Sequence, residues 1–276
     1  MASLRQVVTI TALIGGLALA GCSSNGEVDE LVLDDTPPDQ LYNEALVLKA
    51  QGDLKSAGKK FQDVDKAHPY SQYAKKSLIN LAYTNYARGK YTDAINAARR
   101  FATLYPGSPD SAYALYIVGN SYIRQMPDIT RDQKVTYKAF EAFNEVIQRY
   151  PDSEYVDDSK RKIRVAQDQL AGKEMQVGRF YLKKRNYIAA INRFKVVIQT
   201  FQTTRHVEEA LARTSESYYA LGVVPEAQTA AAVLGHNFPD SDWYRDSYTL
   251  LQKGGYEPKE DKGSWISKAF NSINVL

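Results

Sequence analysis

The chain has 276 residues, with 35 basic and 32 acidic side chains, three histidines and a single cysteine. That near-balance gives no general electrostatic drive toward nucleic acid, and one cysteine excludes an internal disulfide. The length is ample for a hydrophobic core.

At the start of the chain, Arg5 precedes an apolar run from Val7 to Ala20. A membrane-spanning helix needs about 20 apolar residues, so this shorter run reads as a secretory leader. It ends in Leu19-Ala20-Gly21-Cys22, which resembles the bacterial lipobox. The resemblance implies cleavage before Cys22, a diacylglyceryl group on its thiol and acylation of the new amino terminus; ordinary cleavage nearby is the alternative. Each buried acyl methylene contributes about 0.8 kcal/mol, so a multiply acylated cysteine would anchor firmly. Ser23 rather than Asp follows, which by analogy with lipoprotein sorting favours the outer membrane. Residues 1–21 are therefore read as leader and 22–37 as a polar, acidic, lipidated tether.

From residue 38 to 254 one spacing rule recurs five times. An alanine stands twelve residues before a Pro or its stand-in, in Ala57/Pro69, Ala94/Pro106, Ala139/Pro151, Ala190/Gln202 and Ala227/Pro239. An aromatic ring precedes that position (His68, Tyr105, Tyr150, Phe201, Phe238), and Ser or Thr follows two residues after it. Bulky or small apolar residues stand four and seven after each alanine, as in Phe61/Val64 and Phe194/Val197, which is the spacing of one buried helix face. Pro ends a helix, and the following Ser or Thr is predicted to cap the next one. Gly52, Gly89 and Gly222, five before their alanines, and Ala45, Ala82, Gly178 and Ser215, seven before that column, are predicted to let paired helices touch. Met126 to Gln133 interrupts the third unit, and Tyr155 to Lys184 predicts one long helix opening the fourth.

These columns resemble the tetratricopeptide repeat and predict an all-α chain, an α-solenoid of about five helix–turn–helix units. In such arrays the first helix of each unit lines the concave face. On that register the groove receives Tyr42, Leu46 and Lys49 from unit one, then Lys76, Ile79, Tyr83 and Tyr86 from unit two. Unit three adds Tyr113, Tyr116, Asn120 and Arg124. Amphipathic rings beside cations suit an extended peptide carrying aromatic side chains and a carboxylate. Interhelix packing is the other role open to these rings, and Tyr91, Tyr122, Tyr181, Tyr187 and Tyr218 are assigned to it.

No catalytic chemistry stands out. His68, His206 and His236 lack a second ligand at metal spacing, Gly52 to Lys60 fails the phosphate-loop spacing, and adjacent carboxylates such as Asp157-Asp158 point in different directions. Neither metal, cofactor nor enzymatic activity is expected. Basic pairs such as Lys59-Lys60 and Arg99-Arg100 read as solvated helix faces. After residue 254 a tail, 255–276, carries Trp265, Ile266, Ala269, Phe270 and Ile273 on one helical face without an assigned role.

Three segments in order sharpen the resemblance: Pro-Tyr-Ser-Gln-Tyr at 69–73, Arg-Arg-Phe at 99–101 leading into Tyr105-Pro106, and Tyr150-Pro151-Asp152-Ser153-Glu154-Tyr155. With the lipobox and Ala189-Ala190-Ile191-Asn192-Arg193, the chain is similar to the BamD (ComL) family of outer-membrane assembly lipoproteins over nearly its whole mature length. The resemblance implies a lipid anchor at Cys22 and a place on the periplasmic side of the outer membrane. Implied partners are the periplasmic domains of the barrel subunit BamA, accessory assembly lipoproteins and unfolded outer-membrane β-barrel proteins. It places substrate on the N-terminal repeats, hence Tyr42, Tyr83, Tyr86, Tyr113, Tyr116 and Arg124, and the barrel subunit at Arg193. That arginine lies near the edge of the buried stripe, where its guanidinium reaches solvent and can fork two bonds to a carboxylate. A pilotin-like or envelope-scaffold lipoprotein is the alternative.

Overall fold

A computed structural model describes residues 36–271, within which there are twelve α-helices and no strand. Five helix pairs follow one another: α1 (Pro38–Ala50) with α2 (Leu54–Ala67), α3 (Gln72–Ala87) with α4 (Tyr91–Leu104), α5 (Ser111–Ile123) with α6 (Lys134–Arg149), α7 (Val156–Lys183) with α8 (Tyr187–Thr200), and α9 (Val207–Ala220) with α10 (Val224–Asn237). Two more close the chain, α11 (Asp242–Lys253) and α12 (Trp265–Asn271). Neighbouring helices pack in chain order through α10, α1 touches α3 and α3 touches α5 across the repeats, and α11 stacks on α9. This is a tetratricopeptide-like α-solenoid.

Burial follows the alanine register. Ala57, Ala94, Ala139, Ala190 and Ala227 have no exposed surface, and neither have the residues four and seven beyond them, Phe61, Phe101, Phe143 and Phe194 included. Only a methyl group fits at each crossing, while the phenyl rings fill the space beside it. Emptying one of these sites by Phe→Ala would cost about 3–5 kcal/mol. The third-unit insertion lies between α5 and α6, and α7 runs 28 residues without a break.

Two helix-end expectations need correction. Gly52, Gly89 and Gly222 do not bring helices together; they take the left-handed turn after α1, α3 and α9, with φ of 84°, 73° and 75°. There the Gly52 and Asp53 amides bond the Lys49 and Leu48 carbonyls at 3.1 and 3.0 Å, closing the helix end. In the fourth repeat the same position holds Arg185, φ 58°, with the same pattern of bonds back to Leu182 and Tyr181. The close approach belongs to the other small column. A Cβ on Gly178 would stand 2.3 Å from the Phe194 ring, and one on Gly119 2.6 Å from the Phe143 ring. Gly119 is the third-unit member of that column, displaced in sequence count by the insertion.

The expected Ser/Thr caps are realised once, where Ser71 Oγ accepts from the Ala74 amide at 3.1 Å. At Ser108, Ser153 and Thr204 the carbonyl accepts from the amide three residues on, as it also does at Ser71 and Ser241, but here a turn precedes the helix. α5, α7 and α9 therefore start at Ser111, Val156 and Val207, without a side-chain cap bond.

The tail folds back on the solenoid. Residues after α11 run along α10, where the Gln228 amide donates to the Glu257 carbonyl at 2.7 Å and the Asp261 amide to Thr229 Oγ1 at 3.1 Å. α12 then packs on α10 and α8, with Ile266 fully buried. Trp265 Nε1 donates to the Tyr218 hydroxyl at 3.0 Å, and the Gln202 amide to the Ala269 carbonyl at 2.9 Å. No helix among the described residues is long and apolar enough to cross a membrane. Cys22, the leader, the tether up to residue 35 and Ile273 lie outside the described residues.

Candidate functional site

The first helices of the first three repeats carry the predicted tyrosines, and packing joins them into a ladder. On α1, Tyr42 lies 5.8 Å from Phe61 and 5.6 Å from Tyr73, centroid to centroid. Two turns farther along, Lys49 donates to Asn80 Oδ1 at 2.7 Å and holds its ammonium 4.6 Å from the centre of the Tyr83 ring. Partial burial lowers the pKa of Lys49, so this cation is held by a ring and an amide rather than by a carboxylate. Tyr86 packs 6.0 Å from Tyr91, and its hydroxyl hydrogen-bonds Arg124 at the end of α5, which favours the charged guanidinium.

Tyr113 is the innermost ring. Burial, and then the neighbouring hydroxyls of Tyr155, Tyr83, Tyr116 and Tyr86, push its phenol up to about 12. Four of the predicted tyrosines thus share one cluster. Tyr155, at the start of α7, joins them at 5.4 Å from Tyr113 and 4.8 Å from Tyr116. The register of the first three helices does not reach it. Its signal was the Pro-Asp-Ser-Glu-Tyr turn, which delivers a ring to the next first helix.

Tyr116 also closes a polar network between α5 and α7. Its hydroxyl donates to Asp158 Oδ2 at 2.5 Å, while Lys162 donates to the Tyr116 hydroxyl at 2.8 Å and to Asn120 Oδ1 at 2.5 Å. Lys162, 2.7 Å from Asp158, and then Tyr116 hold the Asp158 carboxyl down to about 2. Asp158 and Lys162 are i, i+4 neighbours, a spacing visible in the sequence. All five ladder tyrosines are half-buried, but the Tyr116 hydroxyl is committed to this network. A face of half-buried rings edged by Lys49 and Arg124 can take apolar side chains against the rings and carboxylates against the cations.

Arg193 stands on α8 away from this ladder. Its side chain is 45 % exposed and reaches Glu174 of α7 at 3.3 Å, an acid of its own chain. Among the described residues that is its one polar partner, which leaves most of the guanidinium donors unused. One turn from Glu174, Arg179 forks Glu209 of α9, with Nε donating to Oε1 at 2.8 Å and a second bond from the terminal nitrogen. Burial raises the Glu209 carboxyl, but the Arg179 fork and Arg213 outweigh it and the net shift is downward. The fork couples repeats four and five; it pairs residues far apart in sequence, and no local motif marks it.

Among the described residues no group of His, Cys, Asp or Glu is arranged to hold a metal ion. His68 Nε2 lies 2.9 Å from the Thr36 carbonyl, fastening the chain before α1 to the end of α2. His206 abuts Gly172, and burial lowers its pKa.

Comparison with known proteins follows this architecture. An outer membrane protein assembly factor BamD from Caulobacter vibrioides is 42 % identical over 254 residues, covering 92 % of this chain and 83 % of that protein. The protein of the same description from Rickettsia prowazekii is 39 % identical over 240 residues, 87 % of this chain and 94 % of its own. One from Neisseria meningitidis is 34 % identical over 238 residues, covering 82 % and 89 % respectively. Residues 34–234 match the family YfiO, described as an outer membrane lipoprotein, and the chain belongs to that family.

Proposed function

We propose that this protein is a lipid-anchored subunit of the machinery that assembles β-barrel proteins in the outer membrane, facing the periplasm and held there through Cys22. The observation that carries the reading is the match, over most of the chain, to relatives described as outer membrane protein assembly factors. On this reading the tyrosine ladder of α1, α3 and α5 receives unfolded outer-membrane proteins, whose strands alternate outward apolar and aromatic residues with polar ones. Tyr42, Tyr83 and Tyr86 offer ring surface, Tyr113 and Tyr116 support them, and Lys49 and Arg124 meet carboxylates. Arg193 contacts the periplasmic domains of the barrel subunit BamA, where an acidic residue shares the guanidinium with Glu174. Accessory lipoproteins complete the assembly. The work is binding and positioning, with no bond made or broken.

Detergent extraction and affinity purification of the full-length lipoprotein test this. The barrel subunit should co-purify with wild type, and Arg193→Glu should reduce its recovery, since reversing a hydrogen-bonded interface charge costs about 2–5 kcal/mol. Purification without any barrel subunit would overturn the proposal.

A further inference from the structure

Away from the tyrosine ladder, α2, α3 and α4 enclose a groove of about 660 Å³. Its α3 residues, Leu78, Leu81, Asn85 and Arg88, lie roughly opposite Ile79, Tyr83 and Tyr86 round the helix, so the two faces are separate. Lys55, Lys59, Lys66, Arg88 and Arg100 line it. Facing them are only two carboxylates, Asp65, which Arg100 already holds, and Asp93. Among the described residues Lys59, Lys66 and Arg88 have no ion-pair partner. The absent side chain of Gly58 leaves room for Arg88, whose guanidinium would lie 3.6 Å from a Cβ there.

Charge alone would mark a solvated face. Asn85 adds something independent: it is 9 % exposed, lines the groove, and its side-chain amide has no hydrogen-bond partner among the described residues. The amide is open to the groove, where a ligand can pair with it. An amide offers a donor and an acceptor together. Phosphate oxygens would use only the donor, whereas a peptide main chain matches both.

We propose that this groove binds an extended acidic peptide segment of a partner protein, with Asn85 pairing the peptide backbone and Lys59, Lys66 and Arg88 meeting its carboxylates. Along α2, Lys55 and Lys66 are eleven residues apart, about 16 Å of helix, which is the length of about five residues of extended chain. The groove thus reads a short segment, and it does so whatever the tyrosine ladder binds.

Fluorescence anisotropy with the full-length protein in detergent and a labelled decapeptide of alternating Glu and Ser tests this, with a Lys-Ser decapeptide and inorganic pyrophosphate as comparisons. The acidic peptide should bind in a salt-sensitive manner and the basic one should not. Asn85→Ala should weaken binding about tenfold, the value of a lost hydrogen bond to a ligand. Lys59→Glu combined with Arg88→Glu, both outside the core, should weaken it at least as much with the melting curve unchanged, while Tyr83→Ala should leave it intact. Binding indifferent to both groove variants would overturn the proposal. So would loss of binding in Tyr83→Ala, or displacement by pyrophosphate at concentrations comparable to the peptide, which would make this a phosphate site.

Discussion

The Tyr116 hydroxyl of α5 donates to the Asp158 carboxylate of α7 at 2.5 Å, and this bond joins the tyrosine ladder to the long helix that opens the fourth repeat. Asp158 titrates at about 2, depressed first by Lys162 and then by Tyr116, against an ordinary value of 3.8. A carboxyl with a depressed folded pKa contributes stability that is complete above its unfolded pKa and is lost as pH falls through the folded one. The difference in urea midpoint between wild type and Asp158→Asn should therefore be constant above about pH 5 and shrink toward pH 2. A difference independent of pH down to 2 would mean that the network adds nothing through charge.

Gly178 and Phe194 make a tight helix crossing, with the ring edge 2.3 Å from where a Cβ would stand. Gly178→Ala should destabilise by about 1–3 kcal/mol despite the better helix propensity of Ala. Because the ring is the obstacle, Gly178→Ala with Phe194→Leu should be less destabilised than the sum of the two single changes. Chemical denaturation of the four proteins measures this coupling.

α12 is a structural part of the solenoid. Ile266→Ala should cost about 2–5 kcal/mol, because Ile266 is fully buried against α8 and α10. Hydrogen exchange should rise in those two helices and stay unchanged in α1 to α4.

Arg185 occupies the left-handed turn that glycine fills in three other repeats. An L-residue there carries strain of about 1–2 kcal/mol, while glycine loses about 0.5–1 kcal/mol more chain entropy on folding. Arg185→Gly should leave stability unchanged or raise it by about 1 kcal/mol. A large loss in a thermal melt would mean that the arginine side chain supports the turn.

Much of this fold was written locally. Ala57, Ala94, Ala139, Ala190 and Ala227 announced their crossings through spacing alone, because helix periodicity acts within a few residues. Gly119 escaped because an insertion broke the count, although its crossing with Phe143 is the same one. The apolar face of α12 was visible, but not what covers it: an amphipathic stripe fixes which side is buried and says nothing about a docking surface some seventy residues away, such as Gln202 beside Ala269. The ladder tyrosines were legible as a set, since tetratricopeptide register places them together. Which hydroxyls the neighbouring helix claims was not, because Tyr116 is held by Asp158 and Lys162, and the Arg179–Glu209 fork likewise depends on how α7 meets α9.

The proposal that unfolded outer-membrane proteins bind the tyrosine face is tested most directly by photo-crosslinking in cells. A benzoylphenylalanine replacing Tyr83 keeps an aromatic ring in the half-buried ladder, and the same group replacing Thr103 on α4 serves as an exposed control. The account predicts adducts with newly made outer-membrane β-barrel proteins from position 83 and none from position 103. Equal adducts from both positions, or none from 83 while barrel assembly proceeds normally, would contradict it.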